Sequence, residues 1–116
     1  MDIVAIQNRL QHFADEREWD QFHSPKNLSM AVCGEAAELL ELFQWLTEEQ
    51  SKDISKSKVD KKLVEEEIAD IFIYLMRLAD KLDIDIEIAI MDKMRLNEEK
   101  YPVEKSKGKH TKYTKL

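Results

Sequence analysis

Glycine and proline are nearly missing from this 116-residue chain, with two of each. So few breakers, together with 36% charged residues, exclude a turn-rich sheet protein and favour long helices. A single cysteine, Cys33, has no partner for an internal disulfide, so a cytoplasmic setting is expected. Its plainest role is to pack as a small residue on a helix. No apolar run approaches the length of a membrane span, and Met1-Asp2-Ile3 opens no signal peptide, so no membrane partner is expected. Several catalytic arrangements are absent as well: there is no P-loop, no Ser-His-Asp set and no Cys/His zinc spacing. No glutamate lies three residues before His12, His23 or His110, which removes the Glu-x-x-His signature of a di-iron carboxylate bundle.

What is abundant is acid. The net charge is −6, and it is uneven. Residues 102–116 carry five lysines against Glu104, a local +4 that leaves −10 on residues 1–101. An acidic body argues against nucleic-acid binding. We read residues 1–101 as one helical domain that gains from oligomerisation, and 102–116 as a basic C-terminal tail. The tail suits contact with phosphate or an acidic neighbouring subunit, and equally suits a solubilising end with little fixed structure.

Apolar periodicity predicts four helices. The first spans 2–19, with Ile3, Ile6, Leu10 and Phe13 on one face. Ser24-Pro25 supplies an N-cap and a first-turn proline for a second helix over 25–46. Residues 47–58 are polar and rich in Lys and Ser without periodicity, which predicts a mobile connection. A third helix covers 60–82, and a fourth, capped by Asp83 or Asp85, continues to Tyr101, where Pro102 ends it. The expected fold is an all-α four-helix bundle.

The second and third helices echo one another. Glu35-x-x-Glu38 and Glu67-x-x-Asp70 are displaced by the same 32 positions. Their apolar stripes shift likewise: Val32, Ala36, Leu39, Phe43 and Leu46 map onto Val64, Ile68, Ile71, Leu75 and Leu78. The acids occupy the adjoining row, alongside Ala31, Leu42 and Trp45 on one helix and Leu63 and Tyr74 on the other. Four carboxylates therefore border the packing seam, and no matching set of Lys or Arg lines it. An unpaired buried charge costs about several kcal/mol, comparable with the stability of a small domain. A hard divalent cation such as Mg²⁺, held by carboxylate oxygens, resolves the conflict and can serve phosphate chemistry. The plainer reading of either pair alone is a solvated helix face, as for Glu41, Glu48, Glu49, Glu65, Glu66, Glu98 and Glu99. Paired occurrence, common offset and seam position favour the metal.

Lys93, Asn97 and Lys100 share one face of the fourth helix. That face can grip phosphate groups, and it also fits a basic exposed surface near a helix C-terminus. Trp19, Phe22 and His23 gather at the first joint, while Trp45 continues the Glu35/Glu38 row. Rings so placed can stack on a nucleobase or close the ends of a bundle. Tyr74, one turn beyond Asp70, can pack or present its hydroxyl inward.

From about Phe13 to Pro102 the chain resembles the MazG-like all-α nucleoside triphosphate pyrophosphohydrolases, most of all their dCTP pyrophosphatase branch. The resemblance is carried by the segment from Arg17 through Trp19-Asp20-Gln21-Phe22-His23-Ser24-Pro25 to Leu28 and by Gly34-Glu35-Ala36-Ala37-Glu38-Leu39. Leu42-Phe43-Gln44-Trp45, Glu66-Glu67-Ile68-Ala69-Asp70-Ile71, Lys93-Met94-Arg95-Leu96-Asn97 and Lys100-Tyr101-Pro102 complete it. It departs at Ala37, where the family often has glycine.

The resemblance implies Mg²⁺-dependent cleavage between the α- and β-phosphates, with Mn²⁺ as a substitute ion. It implies Glu35, Glu38, Glu67 and Asp70 as metal ligands, Lys93 and Asn97 at the phosphates, and Trp19, His23, Trp45 and Tyr74 around base and sugar. It also implies a homo-oligomer, dimer or tetramer, packed helix to helix with sites completed across the subunit interface. Glu38 is the carboxylate expected to orient the attacking water. The substrate is expected to be dCTP or a related pyrimidine nucleotide. A dUTP-type or phosphoribosyl-ATP-type enzyme of the same superfamily, and a non-enzymatic helical interaction module, are the competing readings.

Overall fold

A computed structural model describes residues 1–116 and is wholly helical, in agreement with the expected all-α class. It divides into two compact units, Met1–Asp83 and Ile84–Leu116. The first holds α1 (Ile3–Glu16), α2 (Pro25–Glu41), the short α3 (Glu48–Lys52) and the long α4 (Lys58–Lys81). The second holds α5 (Ile86–Lys100) and α6 (Val103–Ser106), with one 3-10 turn at Tyr113–Lys115.

Capping side chains set most of these boundaries. Asp2, Ser24, Ser57 and Asp85 each accept a backbone N–H from the first turn of the helix that follows. Asp85, rather than Asp83, therefore caps α5. Helix α1 is shorter than its periodicity predicts, because Glu18 takes a left-handed conformation at φ 56°. Around it Trp19 N–H donates to the Ala14 carbonyl at 2.9 Å and Glu18 N–H to that of Asp15 at 3.1 Å. This pairing satisfies the last carbonyls of the helix and turns the chain sharply. A 3-10 turn over Asp20–Phe22 follows, and the chain then enters α2.

Two expectations need correction. The second helix stops at Glu41, not 46. Beyond it Phe43 N–H bonds Leu40 and Leu46 N–H bonds Phe43, both i to i−3, so the chain tightens and side chains leave the helical rows. Residues 47–58 fold into short helical elements rather than an irregular connection. Thr47 and Gln50 form a reciprocal capping box that starts α3, and a 3-10 turn at Ile54–Lys56 leads to the Ser57 cap of α4. Lack of apolar periodicity there reflects short helices lying on the surface, where capping rather than burial holds them.

Helix α4 is the spine of the first unit, contacted by α1 and α2. Its fully covered residues are Met76, Arg77 and Ala79; Ala14 of α1 and Leu28 of α2 complete the buried set. The α2 stripe is rotated from its expected position. Val32, Leu39 and Phe43 are half-buried, as are Val64, Ile71 and Leu78, but Ala36, Leu46, Ile68 and Leu75 are exposed. In their place Glu35, Glu67 and Asp70 are half-buried, so these acids share the seam itself.

Thr47→Ala should cost about 1 kcal/mol through loss of the cap. Hydrogen exchange should speed up at the amides of 50–53 while α2 and α4 are unchanged. Unaltered exchange at those amides would mean that the capping box does not hold the segment.

Candidate functional site

Helix α2 supplies Glu35 and Glu38, and α4 supplies Glu67 and Asp70. One carboxylate oxygen from each of Glu35, Glu38 and Glu67 lies within 4.8 Å of the others. Oε2 of Glu35 and Oε2 of Glu67 are buried without any hydrogen-bond partner. Buried acceptors without donors are costly. A set of hard oxygen donors with two such orphaned atoms can hold a metal ion. The Glu35 carboxyl is pushed up to about 7, first by burial, then by the close approach of the Glu67 and Glu38 carboxyls, then by the charges of Glu38 and Asp70. Tyr74 is pushed up as well, by burial and then by the charges of Glu35, Asp70 and Glu38, which keeps its phenol protonated.

Asp70 and Tyr74 also line a cavity of about 270 Å³, shared with Trp19, His23, Arg77 and the apolar Leu10, Phe13 and Ile73. Trp19 is held edge-on to Phe13, centroids 5.7 Å apart. An acid cluster thus adjoins a largely apolar hollow walled by three aromatic rings and an imidazole. Beneath His23 lies a polar network. The Arg77 guanidinium, 2% exposed, donates to His23 Nδ1 from Nε at 3.3 Å, to Gln11 Oε1 at 2.6 Å and to Asp20 Oδ1 at 3.0 Å. Asp20 also accepts from Lys81 and from Gln11 Nε2. Hydrogen bonds from Lys81, Gln11 and Arg77 hold its carboxyl well below the usual carboxylate range.

The model of the MazG-like family matches residues 30–116. This chain belongs to the MazG-like family. It is 44% identical over 104 residues to dCTP pyrophosphatase 1 of Bos taurus, and 40% identical to dCTP pyrophosphatase 1 of Homo sapiens over the same length. Those matches take in 90% of this chain and 62% and 61% of the mammalian proteins, so the chain spans about three-fifths of their length. Among solved structures, a pyrophosphatase from Archaeoglobus fulgidus superposes with a TM-score of 0.78 at 40% identity, covering 88% of this chain and 94% of that one.

Within this MazG-like chain the expected site residues divide into four groups. Glu35, Glu38 and Glu67 come together as one cluster. Asp70, Trp19, His23 and Tyr74 meet at the cavity. Trp45 does not join them: it lies past the end of α2, 87% exposed, because the row that was to carry it stops at Glu41. Lys93 and Asn97 lie one turn apart on the exposed surface of α5, in the second unit. The reading from sequence missed Gln11, Asp20, Arg77 and Lys81. One signal was available, since Arg77 is the only charged residue in the apolar run from Ile71 to Ala79.

An acid whose pKa is raised by folding binds its proton more tightly in the folded state. Glu35 therefore favours the fold most below its ordinary value of 4.5, and that contribution is lost as pH rises through about 7. Metal-free Glu35→Gln should consequently melt at a higher temperature than the unsubstituted protein near pH 8. A divalent ion should stabilise the unsubstituted protein far more than the variant. Equal melting of the two metal-free proteins would show that Glu35 carries no unrelieved charge.

Proposed function

We propose that this chain is a Mg²⁺-dependent nucleoside triphosphate pyrophosphohydrolase, acting on dCTP or a related pyrimidine nucleotide and releasing monophosphate and pyrophosphate. The observation that carries the reading is the carboxylate cluster, with two orphaned oxygens, beside a cavity lined by Trp19, His23, Asp70 and Tyr74. Similarity to proteins named dCTP pyrophosphatase 1 supports both the reaction and the base.

Glu35, Glu38, Glu67 and Asp70 would hold the ion, with Mn²⁺ as a substitute. When bound, Mg²⁺ neutralises triphosphate charge and makes a coordinated water more acidic. Glu38 is the most exposed of the clustered acids. We assign it to orient the water that attacks the α-phosphorus and to accept its proton as the bond to the bridging oxygen breaks. Lys93 and Asn97 grip the phosphates. Trp19 and Tyr74 flank base and sugar with His23.

We infer a homo-oligomer, dimer or tetramer. Met30, Leu40, Ile68, Phe72 and Leu75 of α2 and α4 are each more than 40% exposed, a large apolar surface for so small a core. Trp45 is the base-pocket candidate that requires a second subunit, whose site it would complete. The single exposed Cys33 suits a cytoplasmic location. No helix is long and apolar enough to cross a membrane.

Product analysis with dCTP, dUTP, dATP and 5-methyl-dCTP, with and without Mg²⁺, tests the reading. Metal-dependent release of monophosphate and pyrophosphate is expected, reduced about 10²–10⁴-fold in Glu38→Ala. A folded protein inert across the panel would overturn it. In the same preparation, light scattering should give a mass of two or four chains; a monomer would refute the assembly.

A further inference from the structure

We propose that Arg77 is a positioning residue that fixes His23 as the neutral Nε2–H tautomer, so that the cavity offers one uncharged donor to an oxygen acceptor of the bound nucleoside. The inference rests on the pyrophosphohydrolase reading for the nature of its ligand. Its geometric basis is independent of that reading.

Arginine has five N–H donors and no acceptor. Two of its nitrogens reach His23 Nδ1, Nε at 3.3 Å and Nη2 at 3.1 Å. Nδ1 must therefore be the bare, accepting nitrogen, and the ring proton resides on Nε2, which makes no hydrogen bond within the protein. The guanidinium cannot turn away. It is 2% exposed, and two further donors are held by Gln11 Oε1 and Asp20 Oδ1. Gln11 is oriented in turn, since its oxygen receives Arg77 while its Nε2 donates to Asp15 and Asp20.

Charge points the same way. Arg77 and Lys81 of α4 and Asp20 of the first joint act on His23, with Asp70 and the Tyr74 phenol lining the same cavity, and Asp20 is already shared by the two cations. An imidazolium would add a third cation beside that shared acid. Burial and then the Arg77 charge push the His23 pKa down, with Asp20 opposing more weakly. A neutral donor carries no charge with which to attract phosphate. It pairs with an uncharged oxygen, such as the 2-carbonyl shared by pyrimidines or a sugar hydroxyl.

Two measurements test this. With only three histidines in the chain, ¹⁵N spectra of histidine-labelled protein can be assigned using His23→Gln. His23 should appear as Nε2–H with a bare Nδ1 at neutral pH, and should lose that single tautomer in Arg77→Gln and Arg77→Met. The second measurement compares dCTP with its 2-thio analogue, a poorer acceptor, and with its 3′-deoxy analogue, which lacks the sugar hydroxyl. Whichever oxygen His23 meets, its analogue should have KM raised about tenfold in the unsubstituted protein, the size of one lost hydrogen bond. The two Arg77 variants should treat that analogue and dCTP alike to within about twofold. An Nδ1–H or protonated His23 in the unsubstituted protein overturns the proposal. So does an unchanged tautomer in Arg77→Met, or indifference of the unsubstituted protein to both analogues. The spectra need no turnover: an Nε2–H His23 lost on substitution of Arg77, in a protein without pyrophosphohydrolase activity, would support the role of Arg77 and refute the activity.

Discussion

Repulsion among the carboxylates of Glu35, Glu38 and Glu67 is the cost that the pairing of α2 with α4 must absorb. Apolar side chains along the seam supply the attraction, yet few are fully covered, and the rotated stripe leaves Ala36, Ile68 and Leu75 outside. Had hydrophobic burial alone chosen the interface, those residues would be inside and the acids out. The observed register instead brings the oxygens of three acids within 4.8 Å of one another. Without an ion, partial protonation of Glu35 relieves some of that repulsion. The seam is therefore a compromise in which stability is surrendered for a site, as happens where local rules are broken for chemistry.

The cavity complements this arrangement. Its acidic side, at Asp70, is hostile to bare phosphate and hospitable to a cation. Its other walls are mostly apolar or aromatic, with the His23 imidazole and the Arg77 guanidinium among them. The two cations beside His23, Arg77 and Lys81, are both committed to Asp20. One hollow thus combines an acid, apolar and aromatic side chains and an imidazole.

Much of this was legible in the sequence for specific reasons. Periodicity located all four long helices, so the class could be read, and of the four acids linked by the 32-residue echo the fold brings three together, with Glu38 more exposed than Glu35 and Glu67. Trp45 could not be placed, because its assignment needed the helix to continue past Glu41. Whether a helix of good formers tightens into 3-10 turns depends on what starts next, here the Thr47 capping box. That box, Thr-x-x-Gln, was in plain sight but lay in a stretch without apolar rhythm. The Arg77 network was hidden for a different reason. It joins Gln11, Asp20 and His23 to positions more than fifty residues away, and local spacing carries no trace of such contacts.

The corner after α1 carries one further consequence. Glu18 accepts a left-handed backbone that a side chain resists by about 1 kcal/mol. The reward is that Trp19, Asp20 and His23 emerge within five positions, one to a cavity wall, one to a buried guanidinium and one to both. Such an elbow works by residue count. Lengthening or shortening it by one residue would rotate all three partners out of place at once, whereas many side chains at Glu18 itself would preserve them. Over evolutionary time this joint should tolerate changes of letter far better than changes of length, the reverse of what is normally true of a surface loop.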